Sequence, residues 1–419
     1  MINFNLKTLK NGIRLITAPI GSSEATTIEI LVGTGSRFDP LAKSGLSHFL
    51  EHMFFKGSQK YPSFAKVTQE LDSIGAGYNA STSYEAIRFY VQTCSVDFKK
   101  GYDILKDIFT RPLFDEKYLE LERGVILEEI KMYKDMPQAQ VGILNQQQTF
   151  PGHPLGADLG GNEKTVSSIT REDLMNNWKQ HYSPETMIIV LCGNLKDRKT
   201  IEMVEKDFET IPKIPPKKFE PFDSKNFVPS VKQEVRSIDQ ANFAISFPAI
   251  NKRDKRRFVQ TIMDIILGGS PSSRLYSEIR EKRGLAYDVG SGVNSYFDTG
   301  SYYIYGGVKA DKMEEVYRLV IEEVEKIKNE GVTEEELKRA KGNFRGTATR
   351  SLESSSSIAD YLSSSLYWQG EIMPIDEYIG AHEAVTNEEI KELAGEIFDE
   401  KKAVVTVVGP KEYNLPKAN

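Results

Sequence analysis

The stretch TREDLMNNWKQHYSPETMIIVLCGNL at 170–195 decides the fold, because a second version of it, TNEEIKELAGEIFDEKKAVVTVVGP, occupies 386–410. In both, a threonine precedes acidic residues, as at the start of a helix, and a glycine closes a β-branched strand. The opening threonines, Thr170 and Thr386, are 216 residues apart, and the closing glycines keep the same spacing. A period this long indicates that a whole domain is duplicated, unlike a solenoid of short repeats.

A second pair of similar segments supports the duplication. GAGYNASTSYEAIRFYVQTCSVDFKKGYDIL at 75–105 resembles GSGVNSYFDTGSYYIYGGVKADKMEEVYRLV at 290–320, and each predicts two strands followed by a helix. Between the copies, residues 212–231 hold five prolines and little periodicity, which is typical of an interdomain linker. We therefore predict an α+β fold with two duplicated domains, 1–211 and 232–419, each a mostly antiparallel sheet packed with helices.

The strongest candidate site lies in the first copy, in the residues His48-Phe49-Leu50-Glu51-His52. Histidines four residues apart on a helix lie on one face, where two neutral imidazoles can bind one zinc ion. The glutamate between them can then reach a water molecule held by that ion. The chain contains only five histidines, so two in this H-x-x-E-H spacing point to a metal site.

The residues around this motif predict the helix that carries it. We expect Ser44 to cap its N-terminus and Gly57 to end it. Apolar residues recur at the spacing of a single helix face and leave both histidines on the other side. These apolar residues are Leu46, Phe49, Leu50, Met53 and Phe54. The alternative is a surface helix with two incidental histidines.

A tetrahedral zinc site needs a third protein ligand, and the carboxylate-rich segment 115–135 offers one. Glu122 and Glu129 are seven residues apart and so share a helix face, from which Glu128 is turned away. We predict Glu129 as the third ligand and Glu122 as a neighbour that hydrogen-bonds a ligand or the water. From the residues alone, the alternative that these are exposed glutamates of a charged helix stays open.

The motif and its spacing resemble those of the pitrilysin/insulinase family of zinc peptidases, most of all its mitochondrial processing peptidase-like branch. In that family H-x-x-E-H is followed after 76 residues by a liganding glutamate, and this count from His52 reaches Glu129. The family also has an assisting glutamate seven residues before that ligand, where this chain has Glu122. Other similar stretches are Asn11-Gly12-Ile13-Arg14, 33–37, 45–47, Asn79-Ala80, Glu85 and SSRLYSEIREKRGLAY at 272–287.

The resemblance implies a zinc metalloendopeptidase with one Zn²⁺ per chain. It makes His48, His52 and Glu129 the metal ligands and Glu51 the general base that takes a proton from the attacking water. It makes Glu122 an assisting residue of the catalytic site.

The resemblance also assigns substrate contacts. In this family an arginine and a tyrosine seven residues later hold the substrate and the developing oxyanion, and Arg280 and Tyr287 fit that spacing. Gly77, Asn79 and Ala80 match a strand whose edge pairs with an extended peptide as an added strand. From the residues alone, a plain hairpin is the alternative for that strand, and solvated side chains are the alternative for the arginine and tyrosine.

The second copy predicts no metal site, since the stretch MDIILGGS at 263–270 stands where the motif would recur. Longer family members form a closed chamber from four such domains, and this chain has two. The resemblance therefore implies a homodimer with composite active sites around a peptide substrate. The alternative function is a non-catalytic peptide-binding or assembly subunit, as in relatives whose zinc motif is degraded.

Composition limits the remaining possibilities. A net charge of −6 gives no reason to expect nucleic-acid binding. No apolar run approaches the ~18 residues of a membrane span, and the N-terminus shows no targeting segment, so we expect a cytoplasmic protein. Cys94 and Cys192 lie in apolar, strand-like runs and are predicted to be reduced core residues with no disulfide between them.

Overall fold

The computed structural model describes residues 2–195 and 197–416, and the chain divides into two compact units. Unit 1 comprises the chain up to Ile130 with Ala157–Glu220 and Thr349–Pro374, and unit 2 comprises Lys131–Gly156, Pro221–Ala348 and the chain from Ile375. Each unit contains one sheet and its own helices, which confirms the predicted α+β fold with a duplicated domain.

The regular elements are numbered in chain order. The strands are β1 (Asn5–Thr8), β2 (Arg14–Pro19), β3 (Ala25–Val32), β4 (Gly77–Thr82), β5 (Ile87–Cys94), β6 (Met187–Gly193), β7 (Ser230–Val235), β8 (Gln240–Ala249), β9 (Ala286–Ser295), β10 (Gly300–Lys309) and β11 (Val404–Gly409). The α-helices are α1 (Leu46–Phe54), α2 (Phe64–Asp72), α3 (Phe98–Thr110), α4 (Glu116–Asp135), α5 (Pro137–Thr149), α6 (Glu163–Ser168), α7 (Arg171–His181), α8 (Arg198–Phe208), α9 (Arg257–Leu267), α10 (Met313–Glu330), α11 (Glu334–Arg350), α12 (Ser355–Gln369), α13 (Ile375–Glu383) and α14 (Asn387–Ile397).

The sheet of unit 1 has the strand order β1-β2-β6-β3-β5-β4. Only β2 and β6 run parallel, and every other neighbouring pair is antiparallel. One face of this sheet packs on the helices, with Ile28 and Ile30 of β3 and Phe89 of β5 in the buried core. On the far side of β5, β4 forms an edge of the sheet. Cys192 of β6 is buried as predicted, but Cys94 is exposed because it is the last residue of β5, so the prediction of a core position is wrong for Cys94.

The sheet of unit 2 repeats this plan with the order β7-β11-β8-β10-β9. Here too one pair is parallel, β7 with β11, and the other neighbours are antiparallel. In its core, the ring of Phe398 packs edge to face on two others. The ring centroid of Phe398 lies 5.3 Å from that of Phe247 and 4.9 Å from that of Tyr302. The edge strand β9 corresponds to β4 of unit 1.

The repeated segments adopt the predicted elements. Thr170 and Thr386 cap α7 and α14, and each closes a capping box with the residue three positions later. The strands that follow, β6 and β11, are buried throughout. The second pair of similar segments forms β4, β5 and α3 in unit 1 and β9, β10 and α10 in unit 2.

Two helices depart from the sequential division into 1–211 and 232–419. Helix α12, late in the chain, belongs to unit 1, and α5, early in the chain, belongs to unit 2. Both helices bury apolar side chains, such as Val141 and Leu144 of α5 and Leu362 of α12, and both also make polar contacts with their sheets. Oγ of Ser355 in α12 is 2.8 Å from Oγ1 of Thr27 in β3, and Asn145 of α5 donates to the carbonyl of Ala244 in β8 at 3.2 Å. Helical spacing of apolar residues predicts a buried face but does not say which sheet that face packs on, so the order of the elements along the chain did not assign α5 and α12 to these sheets.

The contact of α12 with β3 predicts a pH dependence of stability. Glu29 is buried there, where Ser363 donates a hydrogen bond to it and Arg88 lies 3.8 Å away. Burial raises the pKa of Glu29 from 4.5 to about 7. Because folding favours the protonated carboxyl, its contribution to the free energy of unfolding is present below pH 4.5 and is lost as the pH rises through about 7.

Replacing Glu29 by glutamine keeps the shape of the neutral carboxyl and removes its ionisation. Denaturant titrations at pH 4.5 and at about pH 7 give the free energy of unfolding of both proteins. Between these two pH values it should decrease in the wild type by on the order of 2 kcal/mol more than in the variant. Superimposable pH profiles of the two proteins would contradict this account of Glu29.

None of the helices in 2–195 and 197–416 is both long enough and apolar enough to cross a membrane.

Candidate metal centre

Helix α1 carries the H-x-x-E-H motif, and its start differs from the prediction. The helix begins after Gly45, and Ser44 donates instead to the hydroxyl of Thr165 at 3.3 Å. The N-terminus is capped by the buried Asp39, which accepts hydrogen bonds from the backbone N–H and the hydroxyl of Ser47 at 3.0 and 2.6 Å. The predicted cap at Ser44 is therefore wrong.

Gly45 is required where the chain enters α1. Its φ is +89°, and a Cβ at this position would lie 2.6 Å from the carbonyl oxygen of Gly160. Both the left-handed backbone and the close approach exclude larger residues. The other end of α1 is at Phe54, three residues before the predicted stop at Gly57, which has a φ of +140°.

The two faces of α1 are separate, as the sequence predicted. The apolar residues on its inner face are all buried, and they are Leu46, Phe49, Leu50, Met53 and Phe54. His48, Glu51 and His52 lie on the other side and are partly exposed. The rings of His48 and His52 have centroids 4.6 Å apart. The core packing of α1 thus fixes where the two imidazoles point.

Helix α4 brings the predicted third ligand to the histidines. The Nε2 atoms of His48 and His52 each lie 3.9 Å from Oε2 of Glu129. These three residues each offer a donor atom, and the donors lie within 4.8 Å of one another. Glu128, the next residue on α4, is exposed and turned away.

This donor set fits zinc. Two imidazole nitrogens and one carboxylate oxygen are a ligand set that zinc uses in catalytic sites, where donors lie about 3.3 Å apart. Burial, aided by the charge of His52, lowers the pKa of His48 to about 4, so that its imidazole is neutral and able to bind a cation at pH 7. Small side-chain adjustments would bring the three donors to bonding distance.

Glu122 stands beside the candidate ligands and hydrogen-bonds one of them, His52. It accepts a hydrogen bond from Nδ1 of His52 at 3.2 Å and one from Nζ of Lys56 at 2.7 Å. Burial works to raise the pKa of Glu122, but these two bonds outweigh burial, and the pKa is lowered. An ionised Glu122 fixes the Nδ1 proton of His52 and leaves Nε2 free to bind metal.

Glu51 lies on the same side of α1 as the two histidines. Its carboxylate accepts a hydrogen bond from Thr82, the last residue of β4, at 2.7 Å. Burial raises the pKa of Glu51 above its usual value, against the hydrogen bond from Thr82. A carboxylate with a raised pKa and one fixed oxygen is suited to accept a proton from a neighbouring water.

Sequence reasoning missed three polar residues around the centre, namely Asp39, Lys56 and Thr82. Lys56 is four residues after His52, a spacing that would have placed it on the same side as the histidine. Thr82 ends the strand segment that the resemblance singled out. Asp39 lies eight residues before the amide it caps, beyond the reach of local capping patterns.

Strand β4 holds the three predicted substrate contacts. Gly77 and Asn79 are exposed, and Ala80 is 9% exposed. All three pair with β5, and β4 has no strand on its other side among the described residues. Thr82, the last residue of β4, hydrogen-bonds Glu51, so this end of the free edge lies beside Glu51.

Arg280 and Tyr287 lie in unit 2. Arg280 belongs to the π-helical turn Tyr276–Glu281, and Tyr287 lies in β9. The guanidinium carbon of Arg280 is 4.7 Å from the ring centroid of Tyr276 and 5.6 Å from that of Tyr287. Tyr287 is 79% exposed. The structure thus brings these two residues together, with the phenol open to a ligand.

Comparisons with known proteins place the chain in a family. Residues 16–163 match the family model described as insulinase (peptidase family M16), and 168–344 match the one described as peptidase M16 inactive domain. An uncharacterized zinc protease of Bacillus subtilis is 32% identical over 400 residues, covering 96% of this chain and 97% of the relative. The chain belongs to peptidase family M16. Another relative, an uncharacterized zinc protease of Streptomyces coelicolor, is 29% identical, with 96% of this chain and 89% of the relative covered.

Solved M16-like structures share the fold. A peptidase M16 inactive domain from Pseudomonas fluorescens has a TM-score of 0.91 at 20% identity, covering 99% of this chain and 100% of that one. A protease from Helicobacter pylori has a TM-score of 0.91 at 21% identity, with 98% and 100% covered. Within the described residues, His48, His52 and Glu129 form the only group of three or more His, Cys, Asp or Glu residues placed to hold a metal, and all three lie in the 16–163 match.

Proposed function

We propose that this M16 chain is a zinc metalloendopeptidase that hydrolyses peptides or small unfolded polypeptides. The observation that carries the proposal is the convergence of His48, His52 and Glu129 on one point, with Glu51 on the same helix face. When bound there, Zn²⁺ supplies Lewis acidity that lowers the pKa of a water molecule toward about 7. The M16 relatives named zinc proteases support the metal and the reaction class.

The chain's own residues supply the proton transfers. Glu51, with one carboxylate oxygen held by Thr82, accepts the proton of the attacking water and returns it to the leaving amine. Glu122 keeps His52 in the tautomer whose Nε2 faces the centre. Arg280 and Tyr287 act from a second chain in the homodimer proposed below: the phenol of Tyr287 donates to the developing oxyanion, and the guanidinium of Arg280 clamps a substrate carbonyl.

The free edge of β4 is the proposed peptide-binding strand. The backbone at Gly77, Asn79 and Ala80 would pair with an extended peptide, which places its backbone beside Glu51. Because such pairing reads the backbone, sequence preference should be modest. The processing peptidase-like branch and a cytoplasmic location remain predictions from the sequence.

Loss of activity on metal removal tests the proposal directly. We expect the purified protein to cleave a quenched fluorescent peptide internally, to lose this activity when a chelator strips it, and to recover it when one equivalent of Zn²⁺ per chain is restored. A zinc-replete protein that binds the peptide without cleaving it would favour the second candidate, a non-catalytic peptide-binding or assembly subunit. That candidate draws support from the description of the 168–344 match as an inactive domain.

We further propose a homodimer in which Arg280 and Tyr287 of one chain complete the metal centre of the other. Glu51→Gln and Arg280→Ala chains should each be inactive alone. Co-expressed with different tags and purified through both, they should form dimers with one intact site of two, and so about half of the wild-type activity. An inactive mixed dimer, or an active monomer, would contradict this arrangement.

A further inference from the structure

A cavity of about 530 Å³ lies in unit 1 between α3, the end of α7 and the segment 210–214. It is lined by no residue of the metal centre. Small-molecule pockets in proteins commonly measure roughly 300–1,000 Å³. The cavity is therefore large enough for a ligand of its own.

The walls of this cavity are apolar and aromatic. Phe109, Tyr182 and Met187 form deep parts of the wall, with exposed fractions of 2, 4 and 0%. Trp178 and Ile211 line it as well and are partly exposed. Flat rings and aliphatic side chains in such an arrangement bind an apolar body of similar shape.

Side-chain hydrogen bonds hold the segment 210–214 in place. Asn11 donates through Nδ2 to the carbonyl of Ile211 at 3.1 Å, and Ser183 donates to the carbonyl of Ile214 at 2.6 Å. Pro212 lies between these two anchors and stiffens the segment. The cavity is thus formed before any ligand enters, which lowers the entropic cost of binding.

The charged residues of the lining leave a positive charge. Lys106 is paired with Asp207 at 2.8 Å, and Arg111 is bonded to Asp107 through Nη2, the one side-chain hydrogen bond that Arg111 makes among the described residues. Lys179, at the exposed end of α7, has no acidic partner within the described parts of the chain. One ammonium and the remaining donors of Arg111 are therefore available to a ligand.

We propose that this cavity binds a small apolar molecule with a single carboxylate, of the aryl- or alkylcarboxylic acid class. The apolar body lies against Trp178, Phe109 and Tyr182, and the carboxylate faces Lys179 and Arg111. The floor of the cavity contacts α1, the helix that carries the H-x-x-E-H motif. The ring centroid of Phe54 in α1 lies 5.5 Å from that of Tyr182 and 6.0 Å from that of Phe109. Binding itself requires neither zinc nor peptidase activity.

The fluorescence of Trp178 tests this proposal. The chain has two tryptophans, so a Trp368→Phe background leaves Trp178 as the only reporter. Phenylbutyrate should shift its emission saturably, and the neutral phenylbutanol and the cationic phenylbutylamine should bind at least about fivefold more weakly. Equal affinity for the three probes, or no change of emission with any of them, would overturn the proposal.

Variants locate the site. Lys179→Glu should weaken the binding of phenylbutyrate about fivefold or more. The matched charge reversal Lys164→Glu, at another exposed lysine of unit 1, should leave this affinity unchanged. Thr110→Phe should fill the cavity and abolish binding, with circular dichroism to verify folding. Equal effects of the two reversals, or full binding by a folded Thr110→Phe protein, would place the ligand elsewhere and refute the assignment.

Discussion

Replacing Glu51 by glutamine is expected to lower peptide hydrolysis by about 10²–10⁴-fold while zinc content and peptide binding stay unchanged. Glutamine has nearly the same shape and keeps a partner for Thr82, whose hydroxyl lies 2.7 Å from the carboxylate. What it lacks is a basic oxygen that can take the proton of the attacking water. Initial rates on a quenched peptide, with metal analysis of the same samples, measure the effect.

A matched control separates chemistry from positioning. Thr82→Val removes the hydrogen bond to Glu51 and keeps the carboxylate, so it should cost much less than loss of the base, on the order of tenfold. A Glu51→Gln protein that is fully loaded with zinc and turns over peptide at the wild-type rate would exclude Glu51 as the base.

Replacing Glu129 by glutamine should remove zinc and activity together. Glu129 supplies the oxygen that lies 3.9 Å from both Nε2 atoms, and a neutral amide is a poor zinc ligand. We expect zinc affinity to fall by more than about 100-fold, beyond the cost of losing an outer partner. Competition with a fluorescent zinc chelator gives the affinity.

Variants of two other glutamates on α4 serve as controls for the effect on zinc affinity. Glu122→Gln weakens the orientation of His52 and should lower zinc affinity by about 10–100-fold. Glu128→Gln, at an exposed position one residue from the ligand, should leave it unchanged. An equal loss in the Glu128 and Glu129 variants would show a general charge effect in place of direct ligation.

Local patterns predicted much of this molecule. The buried stripe of α1 follows from helical spacing, and Thr170 and Thr386 cap their helices because the acidic partner lies three residues away. Glu122 and Glu129 share a face because seven residues make two turns of helix. The paired segments revealed the duplicated α+β fold, since each copy keeps the same order of strands and helix.

Long-range polar contacts were beyond such patterns. Asp39 caps α1 from the far side of a loop, so no spacing rule identified it. Helix α12 places Ser355 and Ser363 against Thr27 and Glu29 of β3, beside its buried apolar residues. Helical spacing alone does not say which sheet such a helix packs on. The apolar cavity at Trp178 is built from α3, α7 and the segment after α8, which only the folded chain brings together.

Anomalous diffraction at the zinc edge, from crystals of the zinc-loaded protein, tests the central claim most directly. We predict one strong peak per chain, about 2.0–2.2 Å from Nε2 of His48, Nε2 of His52 and a carboxylate oxygen of Glu129. A peak at another place, or a zinc ion that one of these three side chains does not reach, would contradict the proposed centre and the peptidase mechanism that depends on it.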